Sequence, residues 1–306
     1  MKSWGPYLVL FAAMLWATDA PFRLHLTQGL SSNFIVLGEH LVDVLFVLPI
    51  LFIGWRQLKN LSWREWSAVL VIAIGGSALA SIAFTQAFHY VNPSVAILLQ
   101  KLQPLIAISL AAVMLKETLR PQFWLWAALA LVGAYIISFP TFVPQLYPGE
   151  QFNPNVMGVL LALVAAFFWG ASTVLGKYVL RKVDFKMMTA LRFVGAFIFL
   201  LMLNFQQHSF PAPGQFTWTD GLFILIIAVV SGVVSLFIYY KGLQTTQASV
   251  ATLAELGFPM AAIFINWLFI PNSALSPMQF VGVAVLLFAI WRLAAYNKET
   301  ATAVTV

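Results

Sequence analysis

The chain has 306 residues, of which 61% are apolar and only 8% charged, with a mean hydropathy of +0.91. Soluble domains hold about 45–50% apolar and about 25% charged residues, and a globule of this size could not cover its surface with so few charges, so the solvent is lipid. The lack of cysteine excludes disulfides and thiolate-held metal centres, the four histidines form no metal-binding tract, and the formal charge of +6 lies in short loops, where it signals membrane orientation rather than nucleic-acid binding.

A bilayer core about 30 Å thick takes roughly 20 apolar residues per helix. Ten runs meet that length, at 5–22, 33–54, 66–89, 94–115, 122–139, 156–179, 185–204, 219–241, 247–270 and 276–296. The first follows Lys2 and has the look of a secretory leader, but a later segment mirrors it, which favours a span. The breaks carry charge or turn residues, as in RQLKNLSWRE, KETLRP and RKVDFK. With a cytoplasmic N-terminus, 13 of the 16 basic residues fall on the inner side, Arg23 alone falls outside, and Lys101 and Arg192 lie within spans. That bias puts both termini in the cytoplasm of a multi-pass inner-membrane protein.

The chain also repeats itself. LFAAMLWATDAPF around Trp16 resembles LVAAFFWGASTVL around Trp169, 153 residues on, and the same shift relates Glu39 to Arg192. A shift of 155 relates Ser94 to Ser249, Pro104 to Pro259, Gln100 to Glu255 and Phe84 to Tyr239. Each half holds five runs, an odd number, so the second copy enters the membrane upside down. Inverted repeats of this kind are a sequence mark of secondary transporters. The expected division is a first five-helix repeat over 1–140, an external connection over 141–154, a second repeat over 155–297 and a cytoplasmic tail over 298–306.

Trp16-Ala17 and Trp169-Gly170 in the first helix of each half, Pro104 and Pro259 in each fourth helix, and Leu115-Lys116-Glu117-Thr118 resemble the EamA-type drug/metabolite transporter superfamily. The resemblance spans essentially the whole chain. It implies an all-α membrane protein of ten transmembrane helices in two inverted five-helix repeats around a central cavity, moving small organic metabolites, usually outward.

Charge at mid-bilayer costs from about 3 to above 10 kcal/mol, so ionisable groups within the spans are functional candidates. Asp19, Glu39, Asp43, Lys101, Arg192 and Glu255 are such groups, with His40, Gln86, His89, Gln100 and Gln103 as polar companions. Glu39 and Asp43, four apart, share a helix face. The repeat suggests two ion pairs, Glu39 with Lys101 and Arg192 with Glu255, at the outer and inner approaches to one cavity; the plainer use is to pin helices together. Asp19 has a similar alternative, an i,i+4 pair with Arg23 at the interface. Four acids against two bases leave two carboxylates in surplus, which either carry protons or receive a cationic or zwitterionic substrate. Trp16, Trp169, Phe84 and Tyr239 are the aromatic candidates for the substrate, joined by Asp19, Glu39, His89, Gln100, Lys101 and Glu255. Trp63, Trp66, Trp124, Trp126 and Trp218 fall near span ends and suit an interfacial belt. Pro104 and Pro259 free a backbone carbonyl and so suit hinges.

The reading is a secondary active transporter that moves amino-acid-like or amphipathic and cationic metabolites by alternating access. Export is expected, with protons as a coupling option. The alternatives are an uptake permease on the same fold and an intramembrane enzyme built on Glu39, His40 and His89. No cofactor or nucleic-acid partner is expected, no phosphate-binding GxxxxGK[ST] loop occurs, and the assembly is a monomer or homodimer.

Overall fold

The computed structural model describes residues 4–87, 89–90, 99–100, 102–117, 119, 121–138, 156–269 and 276–303. Lys101, Ser94 and the 141–154 connection lie outside them. Among the described residues every regular element is helical. Gly5–Trp16 (α1) tightens through a 3-10 turn at Ala17–Asp19 and resumes as Ala20–Leu26 (α2). Pro6 and Pro21 stand in the first turns of these helices, where a missing N–H costs nothing. Ser32–Gly54 (α3) starts at Ser31, whose hydroxyl accepts the Phe34 N–H, and runs on as a 3-10 segment to Asn60. Trp63–Ala87 (α4) opens with a capping box of Ser62 and Glu65.

Gln103–Met114 (α5), Pro121–Ser138 (α6) and Val156–Val179 (α7) follow. Phe185–Gln207 (α8) is capped by Asp184, and Trp218–Gln244 (α9) by a second capping box, Thr217 with Asp220. Ala248–Ala254 (α10), Gly257–Phe269 (α11) and Pro277–Ala303 (α12) complete the chain. The segments Ser32–Asn60, α4, α7, α8 and α9 are long and apolar enough to cross a membrane, and shorter apolar helices cover Gln103–Met114, Pro121–Ile137, Ala248–Ala262 and Pro277–Leu293. Both α4 and α9 widen into π-helix, over Val71–Leu79 and Ile227–Val234.

The main packing pairs are α6 on α12, α3 on α8, α1 on the Ser235–Gln244 end of α9, and the Ala80–Ala87 end of α4 on α7. The π segment of α4 lies against α8, and that of α9 against α3. Glycine permits the tightest crossing. A Cβ on Gly133 would stand 2.8 Å from the Leu286 nitrogen, and one on Gly282 would stand 2.9 Å from the Ile137 nitrogen, so α6 and α12 touch backbone to backbone. Most large side chains on the outer faces are apolar and exposed, including Trp63, Trp124 and Trp218, as lipid contact requires.

Glu117, just past α5, holds the start of α10. Its carboxylate accepts the Ala248 N–H at 2.8 Å, the Ser249 N–H at 3.2 Å and the Ser249 hydroxyl at 2.6 Å. Three bonds to one carboxylate at a helix N-terminus are charge-assisted. Glu117→Ala is therefore expected to destabilise the protein by about 1–3 kcal/mol, read as a lower unfolding temperature in detergent, while Glu117→Gln keeps part of the loss.

Candidate functional site

A cavity of about 200 Å³ lies among these helices, and it collects charged residues that lipid would not tolerate. Two aromatic pairs flank it. The Trp16 ring of α1 stands 5.2 Å from the Tyr239 ring of α9, and the Trp169 ring of α7 stands 5.1 Å from the Phe84 ring of α4.

The first polar cluster is centred on Arg23. Its guanidinium meets Asp19 at 2.8 Å and grips Glu39 with two nitrogens, Nη1 to Oε1 at 3.0 Å and Nη2 to Oε2 at 3.1 Å, while Nη1 also donates to Thr85 at 3.3 Å. One cation thus serves two carboxylates, and with Glu39 it makes one hydrogen bond, to Oε2, beside an ion contact to Oε1. The second cluster is centred on Arg192, 9% exposed, which donates to the Ser77 hydroxyl at 3.2 Å, the Tyr240 hydroxyl at 3.1 Å and the Gly76 carbonyl at 3.0 Å. Ser77 also lies 3.0 Å from Nε2 of His40, whose Nδ1 lies 2.8 Å from the Val36 carbonyl. With the His40 proton on Nδ1, the hydrogen bonds run unbroken from Arg192 through Ser77 and His40 to Val36.

Glu255 forms the third cluster, in the break between α10 and α11. It accepts from Gln103 at 2.5 Å, Tyr239 at 2.9 Å and Thr173 at 3.1 Å, and so ties α5, α9 and α7 together at one carboxylate. Asp43 stands apart. It is 2% exposed, lines the cavity, and its Oδ1 has no hydrogen-bond partner.

Of the two expected ion pairs, Arg192 with Glu255 is corrected by this geometry, and Glu39 with Lys101 falls on a residue outside the described ones. Glu39 pairs with Arg23. Arg192 does not bridge to Glu255; it is held by neutral oxygens, and Glu255 by neutral donors. Trp16, Asp19, Glu39, Asp43, Phe84, Gln100, Trp169, Arg192, Tyr239 and Glu255 do converge on the cavity. His89 does not, being exposed in the turn after α4. Pro104 and Pro259 do not interrupt helices either. Each stands in the first turn of α5 or α11, where a ring nitrogen is tolerated, and the chain breaks just before it.

Sequence reasoning missed Arg23 as a cavity cation, along with the partners Ser77 and Thr173, and it had Gln103 only as a polar companion within the spans. The signal for Arg23 was present: a lone base on the outer side has no role in setting orientation, and it stands four residues after a buried-run aspartate.

Apolar helices around a cavity that hides its own charges and aromatic faces define a membrane transporter. The EamA-like transporter family is matched over residues 3–139 and again over 156–294, and the chain belongs to that family. The kinship read from the Trp and Pro positions is borne out. The riboflavin transporter ImpX of Fusobacterium nucleatum subsp. nucleatum is 31% identical over 302 residues, covering 96% of this chain and 98% of that protein. Protein PecM of Dickeya dadantii is 25% identical over 92% of this chain and 89% of its own length. The uncharacterized transporter YwfM of Bacillus subtilis is 23% identical over 96% and 95%. A solved crystal structure at 16% identity has the same fold, with a TM-score of 0.74 over 96% of this chain and 98% of that one.

Proposed function

We propose that this protein is a secondary carrier that moves a small metabolite with a planar heteroaromatic ring, of riboflavin's kind, through the cavity by alternating access. The two aromatic pairs carry the reading. Trp16 with Tyr239 and Trp169 with Phe84 line one cavity, and stacking on an aromatic face is worth about 1–3 kcal/mol per ring. Around them Arg192, Tyr239 and Glu255 supply donors and acceptors for ring nitrogens and carbonyls. The name of the 31% identical relative points the same way. An amino-acid-like cargo would use the carboxylates and leave the aromatic pairs idle.

The carrier crosses the membrane ten times as two inverted halves, with both termini in the cytoplasm. Local features recur in register and support this. The caps Ser31 and Asp184 are 153 residues apart, the boxes at Ser62 and Thr217 are 155 apart, and each is followed by a π segment in α4 and α9. Exchanging the halves also maps the α1–α9 contact onto α7–α4, and α3–α8 onto itself. Cation–π contacts of Lys59 on Trp55, Arg64 on Trp63 and Arg292 on Trp126 all fall on the face assigned to the cytoplasm, as basic residues at an inner headgroup layer do. The breaks before Pro104 and Pro259 are the hinges, and Glu255 sits in one of them as the reporter of occupancy. Export and uptake use the same cavity, and the gradients set the direction.

Purified protein in liposomes preloaded with riboflavin is expected to take up labelled riboflavin by counterflow. Trp169→Ala or Trp16→Ala is expected to weaken riboflavin binding about tenfold, equivalent to about 1.4 kcal/mol, read from quenching of flavin fluorescence. Folded protein with no riboflavin counterflow, or unchanged binding in both variants, would overturn the heteroaromatic reading.

A further inference from the structure

We propose that Asp43 is the residue on which this carrier binds and releases a proton during its cycle, an inference that rests on the carrier reading above. The argument starts from what surrounds the carboxyl. Asp43 is 2% exposed and faces the cavity, yet Oδ1 finds no donor. It lies against Gly232, where any Cβ would run into Oδ1, so the π segment of α9 is opened at a glycine to admit it.

Among the described residues, none of the groups around Asp43 donates a hydrogen bond to its Oδ1. On its own helix, Glu39 is paired with Arg23, and His40 is bonded to Val36 and Ser77. From α8, the charge of Arg192 faces it while the donors go to the neutral oxygens of Ser77, Tyr240 and Gly76, so the guanidinium attracts Asp43 without being hydrogen-bonded to its Oδ1. The Ala80–Ala87 end of α4 and the π segment of α9 bring no titratable group, and Asp220 at the start of α9 caps its own helix through Thr217. Asp19 before α2 is held by Arg23.

A bare carboxylate at such a site costs several kcal/mol, and a proton is the smallest ligand that removes the cost. A metal cation would need a shell of oxygens. Among the described residues no group of three or more histidine or acidic side chains is placed to supply one.

The device also has a direction of action. Loss of the proton to cavity water leaves a carboxylate that draws on Arg192. Arg192 is bound to Gly76 and Ser77 in the π segment of α4, while Asp43 touches Gly232 in the π segment of α9. Protonation therefore sets whether the two widened segments are joined through α3 and α8, and that junction spans the cavity.

The test uses the full chain in bilayers. Infrared difference spectra are expected to contain a protonated-carboxyl C=O band at neutral pH that shifts in heavy water and is missing in Asp43→Asn. Gly232→Ala crowds the carboxyl without removing it and is expected to move the pH at which that band disappears. In liposomes, an inward-directed or outward-directed pH gradient is expected to hold the steady-state riboflavin ratio several-fold away from one for wild type and at one for Asp43→Asn. An Asp43→Asn spectrum identical to wild type, a Gly232→Ala titration identical to wild type, or a gradient response that needs sodium and ignores pH would overturn the proposal. The spectra need no substrate, so a failed riboflavin assay bears on the cargo reading alone.

Discussion

Arg23→Met is expected to be the most damaging single substitution in the cavity, lowering stability by about 3–5 kcal/mol and riboflavin counterflow by more than tenfold. The reason is electrostatic. Asp19 and Glu39 share the Arg23 guanidinium at 2.8 and 3.0 Å, and removing it leaves two carboxylates side by side in a desolvated place. The double variant Arg23→Met with Glu39→Gln removes one of those charges, so it is expected to regain more than half of the lost stability. A double-mutant cycle on unfolding in detergent isolates the coupling. Glu39→Gln alone divides the two roles of the cluster. Normal folding with lost transport assigns Glu39 to the transport cycle, whereas loss of folded protein assigns it to holding α2 and α3 together.

Gly133→Leu is expected to have the largest effect outside the cavity. In the α6–α12 crossing the nearest atoms to a Cβ at Gly133 are backbone: the Leu286 nitrogen at 2.8 Å and the Gly282 carbonyl at 3.0 Å. Backbone cannot rotate aside as a side chain can, so the helices must separate and lose close packing along their length. The expected loss is about 3 kcal/mol or more, within the range of severe overpacking, with Gly133→Ala intermediate. Retained thermal stability of Gly133→Leu would mean that α6 and α12 do not cross here. The cavity residues lie on other helices, so the residual folded fraction is expected to bind riboflavin with wild-type affinity.

The scaffold is more legible in the sequence than the wiring. Apolar runs, caps and matched tryptophans carry information at fixed spacing: Ser62 with Glu65 and Thr217 with Asp220 mark helix starts by residue type and separation alone. The residues that converge on the cavity are legible for a similar reason, since lipid penalises polar groups anywhere else. Their partners are not. The repeat fixes which residues share a helix face, but which cation reaches Glu39 depends on helix rotation and on where each helix ends. The first apolar run ends at 22, which puts Arg23 in a loop. The chain instead tightens at Ala17–Asp19 and stays helical to Leu26, and that turns the guanidinium back toward α3. The π segments are hidden as well, because apolar residues fill every side of these spans and leave no period to read. It is the π segment of α9 that makes room for Asp43 at Gly232.

Because the chain has no cysteine of its own, a single Ser81→Cys, on the cavity wall in α4, gives the most direct test of access from two sides. In oriented vesicles a membrane-impermeant thiol reagent is expected to reach it from either face but never from both at once, with riboflavin shifting reactivity from one face to the other. Labelling from a single face whatever the substrate, or from both faces together, would contradict a cavity that opens alternately.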